Sequence, residues 1–177
     1  MQHEHSAVDM IDTSGDINVV EKWIQVDKTR WAAGLLAGAF AGVVALVFAM
    51  IFSKAVGLEL TFPAKLMATP ILGAAATNYD AGIGAILAGF VFFEVIAVFW
   101  GIVYAHFTYT NSLPALIGMG LTWAAFSWIF IFNLFMQSWQ PIFTAAIPSG
   151  AAFAVCLVYG LSLTSVAAFD RAIRGSK

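Results

Sequence analysis

Charge is scarce in this sequence. Lys, Arg, Asp and Glu make up 10% of 177 residues, and residues 82–107 contain one formally charged side chain, Glu94. So thin a supply excludes the solvated surface of an ordinary soluble domain. The eight basic residues are scattered rather than clustered, so nucleic-acid binding has no support. Cysteine is nearly absent: Cys156 is the single one, which rules out an internal disulfide and a cysteine-based metal site. Residues 1–30 lack the basic patch and short apolar core of a secretory leader and carry six acids instead. The first apolar run is therefore expected to be an uncleaved anchor. Short alternating segments of the barrel kind are missing too, because the apolar runs are continuous and too long for barrel strands.

What remains is hydrophobic. Apolar residues make up 61% of the chain, and in a bilayer such runs must satisfy their own backbone groups as helices. The reading is an all-α, integral membrane four-helix bundle. Its spans are predicted at 31–53, 82–107, 115–136 and 149–169, within one transmembrane domain over 31–169. Before it lies an acidic segment, 1–30, and after it a basic tail, 170–177. In the acidic segment Ile17, Val20, Trp23 and Ile24 share a helical face behind a possible Asp16 cap, which predicts an amphipathic helix against membrane or partner. Alternation of Ile17 and Val19 competes with that reading, as does a plain tail. His3-Glu4-His5 near the start is discounted as a metal site.

Small residues recur every four positions in two spans. Gly34, Gly38 and Gly42 form one ridge, and Ala152, Cys156, Gly160 and Thr164 form another. Such ridges let a second helix approach closely. Glu94 lies near the middle of its run, where a charge costs about 2.5–3.5 kcal/mol unless it is protonated, paired or turned from lipid. Ala97, Gly101, Tyr104 and Ala105 share its face, and Phe92, Phe93, Phe99 and Val103 are expected to face lipid. Asn133, Thr122 and Ser162 are candidate hydrogen-bond partners for the acid. Tyr104 and His106 lie on one side of it, the tyrosine too far for a direct bond. The connection over 54–80, interrupted by Pro63 and Pro70, is expected to hold a short interfacial helix over Ala64–Thr69. The stretch 137–148 reads as an uncharged loop at the interface.

Lys22, Lys28 and Arg30 precede the first span, and Arg171, Arg174 and Lys177 follow the fourth. Lys54 and Lys65 fall on the other side. Four spans and this bias predict both termini in the cytoplasm.

Three stretches carry a resemblance: AGLLAGAFAGVVA at 33–45, FWGIVYA at 99–105 and CLVYGLSL at 156–163. Together they resemble the YagU-like family of small four-span bacterial membrane proteins of unknown function. The resemblance covers roughly 33–169 and implies the inner membrane, but no activity. Related proteins often place histidines where this chain has Phe93-Glu94 and Cys156.

On function, the expectation is an accessory or assembly subunit of a larger membrane complex, an energy-converting one among the options. Its partners are then the lipid bilayer and other membrane subunits, or further copies of itself. The alternative is a small oligomeric transporter or proton-conducting unit that uses Glu94. An enzyme is the weakest reading. No nucleophile–base pair, paired carboxylates or acid–histidine metal cluster falls within the membrane, and a bis-histidine haem needs a second histidine beside His106. No cofactor is expected from this chain alone, and a pigment or haem shared with a neighbouring subunit stays open.

Overall fold

The computed structural model describes residues 26–175. The expected amphipathic helix at 17–24 and the His3–His5 pair lie outside them. All regular structure among the described residues is helical: α1 (Lys28–Ala55), α2 (Phe62–Met67), α3 (Thr69–Leu72), a 3-10 turn (Ala74–Thr77), α4 (Ile83–Phe107), α5 (Leu113–Phe126), α6 (Pro141–Ala146), α7 (Ser149–Ser162) and α8 (Val166–Gly175). After α5 the chain continues as a π-helical segment, Ser127–Met136, and a last α turn, Gln137–Trp139. A 3-10 turn, Leu163–Ser165, joins α7 to α8. Four rods result, Lys28–Ala55, Ile83–Phe107, Leu113–Trp139 and Ser149–Gly175, each long and apolar enough to cross a membrane. Their outward residues, such as Phe40, Val47, Val95, Phe99, Leu121 and Phe130, are exposed and apolar, which suits contact with lipid.

Three of the rods run past the bounds that hydropathy alone suggests. Asp27 starts α1 three residues early, because its carboxylate accepts the amides of Thr29 at 2.9 Å and Arg30 at 3.1 Å. The third rod continues to Trp139, so the stretch expected to be a loop is helix and then α6. The interfacial helix expected over Ala64–Thr69 is two helices, α2 and α3. Pro63 and Pro70 each stand in the first turn of one of these rather than between them. Pro114 and Pro141 hold the same position in α5 and α6. A missing N–H costs nothing there, since the first-turn amides have no partner within the helix.

Two backbone seams hold the rods together. In the first, α1 lies against α4. A methyl group added at Gly38 would meet the Ala97 carbonyl oxygen at 2.7 Å and Val98 Cα at 2.9 Å, and one added at Gly34 would meet the Gly101 oxygen at 2.8 Å. Ala33, Ala37, Ala41 and Ala45 are fully buried along the same helix. In the second seam, α5 lies against α7, and a Cβ at Gly120 would press on the backbone of Gly160. The two pairs are then joined by hydrogen bonds and rings. The Tyr159 hydroxyl of α7 donates to the Ala97 carbonyl of α4 at 2.7 Å. Tyr104 donates to the Leu116 carbonyl of α5 at 3.1 Å. Trp100 meets Trp123 edge to face at 5.7 Å.

The connection between α1 and α4 folds back onto the bundle. Gly89, about 9 Å along α4 from its first residue, has no room for a side chain because the Ala64 backbone of α2 lies against it. Gly57 and Gly73 turn the chain on either side of α2 and α3 with φ of 84° and 76°, a region glycine enters without strain. Lys65, only 1% exposed, ties the loop. Its ammonium donates to Glu59 Oε2 at 2.9 Å and to the carbonyls of Asn78 and Tyr79 at 3.2 and 3.1 Å. Glu59 also accepts the Thr61 hydroxyl.

Replacing Gly38 with Val forces α1 from α4 and is expected to lower stability by about 1–3 kcal/mol or more. Gly118→Ala, which meets nothing within 4 Å inside α5, should be neutral or stabilising by up to about 1 kcal/mol. Thermal unfolding in detergent compares them, and equal midpoints would refute the seam. The Thr61 hydroxyl, with Lys65 beside it, holds the Glu59 carboxyl below its ordinary value. Its contribution is therefore complete above the unfolded value of about 4.3 and is lost as pH falls through the folded value. Protection of the amides over 54–80, taken relative to the intrinsic exchange rate at each pH, should fall on acidification in the parent and already be low, with a flatter profile, in Glu59→Gln.

Candidate functional site

Glu94 stands eleven residues into α4, about 17 Å from Ile83 and near mid-helix. Its carboxyl lies over Gly42 of α1. A Cβ on Gly42 would come within 2.8 Å of both carboxyl oxygens, so the third glycine of the ridge makes room for the acid as well as for the helix. Oε1 is buried and has no hydrogen-bond partner among the described residues, while the residue as a whole is half-buried.

The expected partners are engaged elsewhere or do not reach it. Asn133 donates to the Trp128 carbonyl at 2.8 Å and accepts the Ser149 hydroxyl at 3.3 Å, pinning the π-helical segment to the start of α7. Thr122 donates back to the Gly118 carbonyl at 3.0 Å. Ser162 makes no bond to the Glu94 Oε1 atom. Tyr159 is within electrostatic reach of Glu94, yet its hydroxyl hydrogen goes to the Ala97 carbonyl.

The other residues singled out in the sequence fall in separate places. Tyr104 is fully buried, ten residues or about 15 Å further along α4, and bonded to Leu116. His106 Nδ1 accepts the Trp31 indole N–H at 3.2 Å at the far end of the helix. An indole N–H only donates, so that nitrogen carries no proton in this pairing. Gly34, Gly38, Gly42 and Gly101 lie in the α1–α4 seam, and Gly160 lies in the α5–α7 seam. Cys156, grouped with Gly160 by its spacing, lines a cavity instead of a helix contact. Phe93, expected to face lipid, lines the same cavity and packs on the core. Among the described residues no three His, Cys, Asp or Glu side chains come together as metal ligands.

That cavity measures about 190 Å³ and is partly open. Its walls come from α4 through Phe93 and Trp100, from the π-helical segment through Ile131 and Met136, and from α7 through Ala152 and Cys156. Met67 of α2 and Phe143 of α6 border it as well.

A cluster around Arg30 escapes the sequence reading, which uses Arg30 only as a topology signal. Arg30 is 6% exposed and Asp170 2% exposed. The guanidinium donates to the Thr108 carbonyl at 3.1 and 2.7 Å, to the Thr110 carbonyl at 3.0 Å and to Asn111 Oδ1 at 2.7 Å. Asp170 lies 3.5 Å away and also accepts from Arg174 at 3.1 Å. Arg174 in turn reaches Asp27 at 2.5 Å. Burial pushes the Asp27 carboxyl up, but Arg174 and the two capping amides outweigh it and hold the group below its ordinary value. The one legible hint is the Asp170/Arg174 spacing of four, a pair on one helical face.

Comparison with protein-family models, curated proteins and solved structures finds no match for this chain.

Removing one partner of a buried ion pair strands the other, at about 3–5 kcal/mol. Arg30→Met should destabilise by that order, and Arg30→Lys should recover little because an ammonium lacks the fork. The double change Arg30→Met with Asp170→Leu should recover part of the loss. Unfolding in detergent measures all three, and a neutral Arg30→Met would sink the assignment.

Proposed function

We propose that this chain is an accessory or assembly subunit of a larger complex in the bacterial inner membrane, with both termini in the cytoplasm. The observation that carries the reading is the Glu94 carboxyl. An acid at mid-helix, half-buried and with one oxygen that finds no donor among the described residues, is costly in hydrocarbon and favours a donor supplied from outside to the part of the carboxyl left accessible. The donor would be a hydroxyl, amide or cationic side chain on a helix of another subunit, seated along the α1–α4 seam.

The proton-conducting reading has less support. A relay needs polar stations in a row, and Tyr104, His106 and Asn133 each bond elsewhere. The cytoplasmic placement rests on charge. Asp27 and Arg174 touch, so the outer ends of the first and fourth rods share a side. Lys28, Arg30, Arg171 and Arg174 stand at those ends, and Lys22 and Lys177 adjoin them in the sequence, against Lys54 and Lys65 elsewhere.

Native gels of mild-detergent extracts test the proposal. The parent and Glu94→Gln, which keeps hydrogen bonding, should migrate with a large assembly. Glu94→Leu should lose that band about tenfold, the equivalent of about 1.4 kcal/mol. Migration of Glu94→Leu with the assembly would overturn the docking role. Proton flux into liposomes that is lost in Glu94→Gln would favour the conducting alternative.

A further inference from the structure

We propose that the cavity between α4, the π-helical segment and α7 is a binding site for the acyl chain of a membrane phospholipid. This does not depend on the role of Glu94, which is not among its lining residues.

Size sets the first limit. At about 190 Å³ the cavity exceeds the roughly 150 Å³ of an engineered apolar cavity that stays dry and takes up benzene. It is far too narrow for a helix, whose diameter with side chains is about 10–12 Å. Chemistry sets the second limit. The Tyr159 hydroxyl at the edge is engaged with the Ala97 carbonyl. The Ser127 hydroxyl, the Cys156 thiol and the Trp100 indole N–H are the other polar side-chain groups of the lining residues, and they are few among many apolar ones. A water there finds too few partners, and an unfilled void forfeits dispersion contacts on every side.

Shape points to a chain rather than a ring. On α4 the wall runs from Phe93 to Trp100, and on α7 from Ala152 to Tyr159. Each interval is seven residues, about 10 Å parallel to the helix axis. The cavity thus extends about 10 Å along the direction in which acyl chains lie.

The irregular parts of the fold converge on this space. Ser127, Ile131, Phe132 and Met136 of the π-helical segment form one wall. Long π-helical runs are uncommon, and where the geometry occurs it often accompanies a functional site. α2 and α6, the short helices on the side away from Asp27 and Arg174, supply Met67 and Phe143 at the border.

The full-length protein, reconstituted in phosphatidylcholine carrying a diazirine at the end of one acyl chain, tests the site by irradiation and peptide mapping. Adducts are expected on Phe93, Met136 and Cys156, in addition to the lipid-facing Val95 and Leu121. A phenyl group at position 152 displaces at least two methylene groups of chain. Ala152→Phe should therefore lower the cavity adducts about tenfold and leave those on Val95 and Leu121 unchanged. Ala49→Phe fills the space from α1 and should act alike if the first variant does not fold. Adducts confined to Val95 and Leu121 in the parent protein would overturn the proposal, with no variant needed. So would cavity adducts that persist in both folded variants. A map positive in liposomes but empty in native membranes would assign the space to a partner's side chain, and that too overturns it.

Discussion

The contact of α1 with α4 at Gly38 and Gly101 is the constraint from which the other contacts follow. In a bilayer, apolar side chains gain nothing by leaving lipid for protein, so helices associate through close van der Waals fit. Glycine and alanine let the two backbones meet with little between them. That approach sets the position of the Ala97 carbonyl, which Tyr159 then uses to dock α7. It also brings Glu94 over Gly42. A side chain at either glycine would displace the docking point and the acid together.

α4 is gripped at both ends by buried cations. Lys65 binds the carbonyls of Asn78 and Tyr79, just before the helix starts. Arg30 binds those of Thr108 and Thr110, just after it ends. Each cation is completed by one carboxylate, Glu59 or Asp170. Positive charge beside the last carbonyls of a helix also complements its dipole. The two clusters lie where apolar packing gives way to loops, and there they satisfy backbone groups that the short connections leave open.

The four rods were legible because a run of apolar residues of bilayer length has few other structures open to it. That Glu94 is the one formally charged residue of its run is legible for the same reason, whereas its lack of a bond to Asn133, Thr122 or Ser162 is not. Other features leave little trace in the sequence. Arg30 and Lys65 bind mainly backbone carbonyls, and no residue type advertises those. The π-helical segment adds about one residue per turn, a change that a uniformly apolar stretch conceals. Phe93 and Phe92 are chemically alike, so only the packed helices decide which of them faces inward. The prolines at 63 and 70 read as breaks, whereas in first turns they mark beginnings.

The Arg30–Asp170 pair links the opening turn of the first rod to the last turns of the fourth. During translation the arginine emerges long before its aspartate. Until the fourth rod is in place, that guanidinium lacks the Asp170 carboxylate and has only the neighbouring Asp27 within electrostatic reach among the described acids. The contact between the first and fourth rods can therefore close only after the second and third have been made.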